Sequence, residues 1–240
     1  MPRSLRDDDV VLSRDEAQRV VEQVVRLSKT DGVQVALRSE RVRNLRFAAN
    51  QLSTAGVTED TSAVITALAG RRRASVTTND LSAEGLERAV RKAESIAALA
   101  PEDPEAMPLL AAQTYVAVRE AWDEATATLD ADTAMAAARS ALAPARSGAT
   151  LEVAGFLLVQ GSATAIGNSA GLFAYHRGSR ANYTLTARTT DGTGSGWASD
   201  DAVAWRALDV QATSQRAIDV ALRSRRPVAI EPGRYTVVLQ

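Results

Sequence analysis

Between Val33 and Thr78 the chain holds five runs rich in β-branched and apolar residues, separated only by short polar links. That spacing limits the fold more than any other feature. The runs cover residues 33–38, 42–48, 52–58, 62–68 and 72–78. Parallel neighbours need a crossover of about a dozen residues or more, and none of these links is long enough. The segment therefore reads as an antiparallel β-meander.

A helix precedes it. Ser13 followed by Glu16 is a capping box, in which each side chain satisfies a backbone donor of the other residue. Ala17, Val20, Val21, Val24 and Val25 then form one apolar stripe at helical spacing. A second helix is expected over residues 82–100, with Leu86, Ala89, Val90, Ala93 and Ala97 on one face. Pro101, Pro104 and Pro108 end it. Beyond them come an Ala-rich helix over 132–143, expected to stop at Pro144, and a second series of strands over 151–159, 163–167, 172–177 and 183–189. A helix over 203–222 and a last strand over 234–239, after the turn Glu231-Pro232-Gly233, complete the pattern. The fold class is α/β of the α+β kind: antiparallel meanders flanked by Ala-rich helices, with a helix-meander-helix unit that occurs twice. The division expected is 1–100, a connector over 101–130, and 131–240 leading toward a further C-terminal domain.

Composition excludes several kinds of chemistry. The 240 residues contain no Cys and one His, His176. Disulfides, thiolate ligands and a Cys nucleophile are ruled out, and a lone imidazole has no second one with which to hold zinc. Aromatic residues are only 4% of the chain, so Ala, Val and Leu must fill most of the interior. A net charge of -1 provides no field for steering toward nucleic acid or an anionic membrane. Asp7, Asp8 and Asp9 stand where a secretion signal would need apolar residues, and runs such as 156–159 fall far short of the ~20 residues that span a bilayer. A cytoplasmic protein with no nucleic-acid or membrane partner is expected. The ending Val237-Val238-Leu239-Gln240 reads as the interior of a longer protein.

Each candidate site has an ordinary explanation. His176 alternates with Tyr175 and Arg177 on a strand and has no neighbouring nucleophile to activate. The Gly-x-Gly-x-Gly stretch 192–196 lacks the Lys-Ser/Thr of a phosphate loop, and Ser195 lies outside Gly-x-Ser-x-Gly. A flexible hairpin or substrate-side loop is expected there. Arg71-Arg72-Arg73 and Arg223, Arg225 and Arg226 have no stacking aromatics beside them and suit a solvated turn and a helix C-terminus. Asp200-Asp201 after Ser199 resembles an N-cap more than a metal site. No catalytic, cofactor-binding or metal-ligating residue is assigned.

Taken together, Arg46-Phe47-Ala48-Ala49-Asn50-Gln51-Leu52-Ser53, the helix end Ala97-Ala98-Leu99-Ala100 with Pro101-Glu102-Asp103-Pro104, Ile166-Gly167-Asn168-Ser169-Ala170-Gly171-Leu172, Gly194-Ser195-Gly196-Trp197-Ala198 and Glu231-Pro232-Gly233-Arg234-Tyr235-Thr236-Val237-Val238-Leu239 resemble the TldD/PmbA family in order and spacing. The wording of the last segment is closer to the PmbA, or TldE-like, branch. The resemblance implies a two-subunit metallopeptidase that degrades unfolded peptides, with zinc held only by a subunit bearing a His-Glu-x-x-x-His helix. Nothing in this chain matches that helix. The expected role is a non-catalytic N-terminal segment, partnered by a related TldD-like subunit or by itself. The competing role is a regulatory interaction protein acting on DNA gyrase or a toxin-antitoxin system.

Overall fold

The computed structural model describes residues 10–146 and 150–238. Six strands form one antiparallel sheet: β1 (Gly32–Ala48), β2 (Gln51–Ala69), β3 (Arg72–Thr78), β4 (Leu151–Asn168), β5 (Phe173–Thr189) and β6 (Ser195–Ala202), in the order β3-β2-β1-β4-β5-β6. The helices are α1 (Arg14–Leu27), α2 (Ala83–Leu99), the single turn α3 (Glu124–Ala127), α4 (Ala131–Arg146) and α5 (Val210–Arg223). The order helix, three strands, helix occurs twice, and the two series meet along the β1–β4 ladder, which runs from Gln34 opposite Asn168 to Phe47 opposite Gly155.

All four long helices pack on one face. Alternation along β1 puts Val33, Val35, Leu37, Leu45 and Phe47 on that face, and they enter two separate clusters. The first gathers Val33, Val35 and Leu37 with Ile65 of β2 and with α1 and α2. The second gathers Leu45 and Phe47 with Leu157, Tyr183 and Leu185 and with α4 and α5. The Ser13–Glu16 capping box starts α1, as the sequence implies. In the second cluster Phe47 stacks on Tyr183 with ring centroids 6.0 Å apart. The Tyr183 hydroxyl and Ser214 Oγ share a hydrogen bond of 2.8 Å. Burial pushes the Tyr183 phenol up to about 12, Ser214 opposing the shift, so it stays neutral.

The strands are fewer and longer than their sequence implies. Residues 39–41, 59–61, 160–162 and 178–182 have the polarity of turns yet continue the strands, because many of their polar groups find partners across the sheet. Ser39 Oγ lies 3.0 Å from Thr61 Oγ1, Arg41 pairs with Glu59 at 3.0 Å, and Gln160 Nε2 donates to Glu40 at 2.9 Å. The result is a polar waist between the two clusters. At one end Ala49 and Asn50 adopt positive φ in the β1–β2 turn. The Asn50 amide donates to Leu151 O and accepts from Val153 N, tying that turn to β4.

Three other boundaries differ. Helix α4 passes through Pro144 to Arg146, since burial of Ala141, Leu142 and Ala145 outweighs the hydrogen bond that proline removes. Asp200 and Asp201 lie in β6 rather than at a helix start, because Gly196 and Ala198 alternate inward and extend the ladder to Ala202. Helix α5 begins at Val210, capped by Asp209, whose side chain accepts from Ala212 N. The expected last strand is also not formed: residues 234–238 are exposed and pair with no strand among the described residues, and Leu239 lies outside them.

Candidate functional site

The face of the sheet opposite the helices is open. It presents Val64, Trp197, Thr184 and Thr186 beside charged pairs, including Arg38–Glu40 and Arg180–Asp201. The Arg180 hydrogen bond, more than the neighbouring amide of Asn182, holds the Asp201 carboxyl below its usual range although burial opposes it. The charged groups of these pairs satisfy one another.

The outer edge of β2 is different. β3 pairs with β2 only from Ala63 to Ala69. Among the described residues no strand covers the outer side of 51–62, and residues 53–60 are exposed. A β-bulge lies in this stretch, where Arg46 faces Thr54 and Phe47 faces Leu52, leaving Ser53 without an opposite residue. A row of outward N–H and C=O groups is a template for another extended chain. The sequence alone missed it, because 52–58 and 62–68 read as separate strands whose pairing could not be assigned.

The residues singled out from the sequence do not converge. His176 is exposed on the open face, with Tyr175 and Arg177 directed to the other side of β5. Residues 190–194 form a tight β5–β6 turn, and Ser195 and Gly196 already begin β6. The Asp191 carboxylate there accepts from Thr189 Oγ1, Thr193 N and Thr193 Oγ1, which lowers its pKa. Gly194 and Gly196 are buried, and α5 passes close over both. Their small size serves helix packing, with no loop open to a substrate.

The basic clusters are engaged locally. Arg71 donates to the carbonyls of Asp103 and Pro104, Arg72 to Ala98 O at the end of α2, and Arg73 pairs with Asp103 at 2.8 Å. Together they fasten the start of the connector. Arg223 and Arg225 bond carbonyls of Asp219 and Leu222 at the end of α5.

Among the described residues no group of three His, Asp or Glu side chains could hold a metal ion. The resemblance implies zinc only in a subunit bearing a His-Glu-x-x-x-His helix, and the described residues of this chain offer no such donor set. No described helix is long and apolar enough to cross a membrane.

Comparison with known proteins bears on the whole arrangement. No curated protein sequence matches the chain. Among solved structures, TldE from Thermococcus kodakarensis matches with a TM-score of 0.76 at 18% identity, covering 84% of this chain and 46% of that one. A protein of Thermotoga maritima described as a candidate modulator of a DNA gyrase matches with a TM-score of 0.75 at 18% identity, over 90% of this chain and 50% of that one. A similarly described protein of Bacteroides thetaiotaomicron gives 0.75 at 14% identity, over 91% and 51%. At these identities the likeness establishes the fold, and the chain spans about half the length of each. Two family profiles match in succession: PmbA/TldA metallopeptidase domain 1 over residues 33–97 and the PmbA/TldA metallopeptidase central domain over residues 119–225. Between them they take in most of the sheet and three of its four long helices, and on that ground the chain belongs to the PmbA/TldD family.

Proposed function

We propose that this chain is a non-catalytic part of a PmbA/TldD-type peptidase subunit, which holds extended peptide by strand addition while a metal-bearing subunit cleaves it. The bare β2 edge carries this reading. Natural sheets blunt exposed edges with charges, above all Lys, with Pro, with bulges or with a covering segment; this edge has the bulge at Ser53 and the charges of Glu59 and Asp60, but no covering strand among the described residues. Residues 51–62, Gln-Leu-Ser-Thr-Ala-Gly-Val-Thr-Glu-Asp-Thr-Ser, contain neither Lys nor Pro. Their small side chains leave the backbone accessible, which suits a protein that must accept many sequences through main-chain bonds. The family's metallopeptidase description supports the same reading. Zinc, where a partner subunit holds it, would supply a Lewis acid and an activated water; this chain would supply position.

Hydrogen exchange tests the proposal. Outward amides of 53–60 should exchange freely in the protein alone and slow by about tenfold or more with saturating unfolded peptide, while the β1–β4 ladder stays unchanged. Unaltered exchange at 53–60 would sink the strand-addition step. Gel filtration with a metal-bearing PmbA/TldD-type subunit should show co-elution, and the mixture should cleave peptide in a chelator-sensitive way. If the two subunits elute apart, the assignment to a peptidase complex fails.

A further inference from the structure

The bare stretch of β2 is bounded by two different structures. At one end β3 stops, its last residue Thr78 pairing with Ala63, and the chain turns away toward α2. At the other end lies the β1–β2 turn at Ala49 and Asn50. β3 runs antiparallel to β2, so a peptide added antiparallel to residues 53–60 would continue the line of β3. Its amino terminus would lie toward Thr78 and its carboxyl terminus near the turn. A peptide added parallel would be reversed, with its carboxylate toward the end of β3.

The two ends also differ in charge. Glu59 and Asp60 are exposed near the end of β3 and, being consecutive in a strand, point to opposite faces of the sheet. Glu59 pairs with Arg41 at 3.0 Å. Asp60 stands opposite Glu40 in the β1–β2 ladder, and Glu40 already holds Arg38 at 2.8 Å. Asp80, just past β3, is taken by Arg88 at 2.6 Å. None of the ion pairs among the described residues involves Asp60, which leaves this end of the edge negative. At the turn end the sign is reversed. Arg46 is exposed on the open face, opposite Thr54, and enters none of those ion pairs either. Neighbouring strands lie about 4.8 Å apart, so an added strand would run about 10 Å from the β1 backbone. A long arginine side chain and a terminal carboxylate can span that distance over the small Thr54. Residues 54–58, between the two ends, carry no charge.

We propose that the β2 edge takes peptide in one direction, antiparallel to β2, with the α-ammonium group at Asp60 and the terminal carboxylate toward Arg46. The inference rests on the peptide-holding function proposed above and adds to it a ligand class: short extended segments with a free amino terminus, or with a basic residue at that end. Two effects favour this direction. Antiparallel pairing is slightly more stable per residue than parallel pairing. The parallel arrangement would also set the carboxylate against Asp60 and the ammonium group toward Arg46, so that both ends repel. Because Glu59 and Asp60 face opposite sides, a basic side chain near the amino terminus meets a carboxylate whichever face it points to.

Isothermal titration calorimetry with octapeptides alternating Thr and Gln, their termini free or blocked, tests this. N-acetylation should weaken binding about threefold at low ionic strength and C-amidation about twofold, and both effects should fade as salt is added. D60N should remove the effect of acetylation and leave that of amidation, and R46Q should do the reverse. Both side chains are exposed, so the melting curves of the variants should match that of the parent. Direction is read separately by paramagnetic broadening. A nitroxide on a Cys at the first peptide position should broaden the amide resonances of 60–62, and one at the last position those of 53–55. Affinity indifferent to both terminal blocks overturns the inference, as does broadening of 60–62 by the label at the last position. Hydrogen exchange separates this inference from the function beneath it. Protection of 53–60 without any effect of the termini removes the direction alone; no protection by any octapeptide removes the peptide-holding function.

Discussion

Phe47→Ala is expected to cost about 4 kcal/mol of stability, the usual size for truncating a fully buried phenylalanine, and to lower the thermal midpoint by on the order of 10 °C. Phe47 is 2% exposed. Its ring stacks on Tyr183 and fills the space over Gly155, where an added Cβ would stand 2.8 Å from Phe47 Cζ. Main-chain pairing of Phe47 with Leu52 of β2 and Gly155 of β4 limits how far the backbone can close over the void. Phe47→Leu keeps much of the volume and should cost about 1.5 kcal/mol or less. Urea denaturation of the two variants reads the difference; a loss below about 1 kcal/mol for Phe47→Ala would show that the second cluster repacks freely.

Gly196→Val should be nearly as damaging, at about 3 kcal/mol, through overpacking rather than a void. A Cβ at Gly196 would stand 2.5 Å from Ala221 N, 2.8 Å from Val220 Cβ, and closer still to Ala217 O. These are chiefly backbone atoms of α5, so the helix itself would have to move off β6. Gly192, in the turn just before β6, provides the contrast. It has φ +74 and nothing within 4 Å of an added Cβ, so Gly192→Ala should cost only the left-handed penalty, about 1 kcal/mol. Thermal melts of the pair decide whether the Gly-rich stretch is a packing device. Equal small losses would return it to the status of an exposed loop.

That stretch also shows what the sequence could convey. Local signals were legible wherever the decisive contacts were local: the Ser13–Glu16 box, the stripe on α1 and the turn chemistry around 191–194. The glycines at 194 and 196 were visible, but their reason lies in α5, which arrives from later in the chain. The same holds for the waist. Ser39, Glu40 and Arg41 have turn-like polarity, and only cross-strand partners such as Thr61, Gln160 and Glu59 keep them extended. Pro144 failed as a stop for a related reason, since burial beyond it is a tertiary gain. Of the candidate sites, Arg71–Arg73 are tied to the connector and the end of α2 by bonds that no local pattern announces, and His176 stands exposed on the open face. The uncovered β2 edge was hidden, because an edge is defined by which strand is absent beside it.

Strand β1 supplies residues to both hydrophobic clusters from a single face, without a break in its register to β4. A slip of one position along that ladder would turn Val33, Val35 and Leu37 outward together with Leu45 and Phe47. Neither cluster can therefore tolerate an error that the other would accept. The segments matched by the two family profiles are coupled by that shared strand, so they gain or lose order as one cooperative unit even though each carries its own helices.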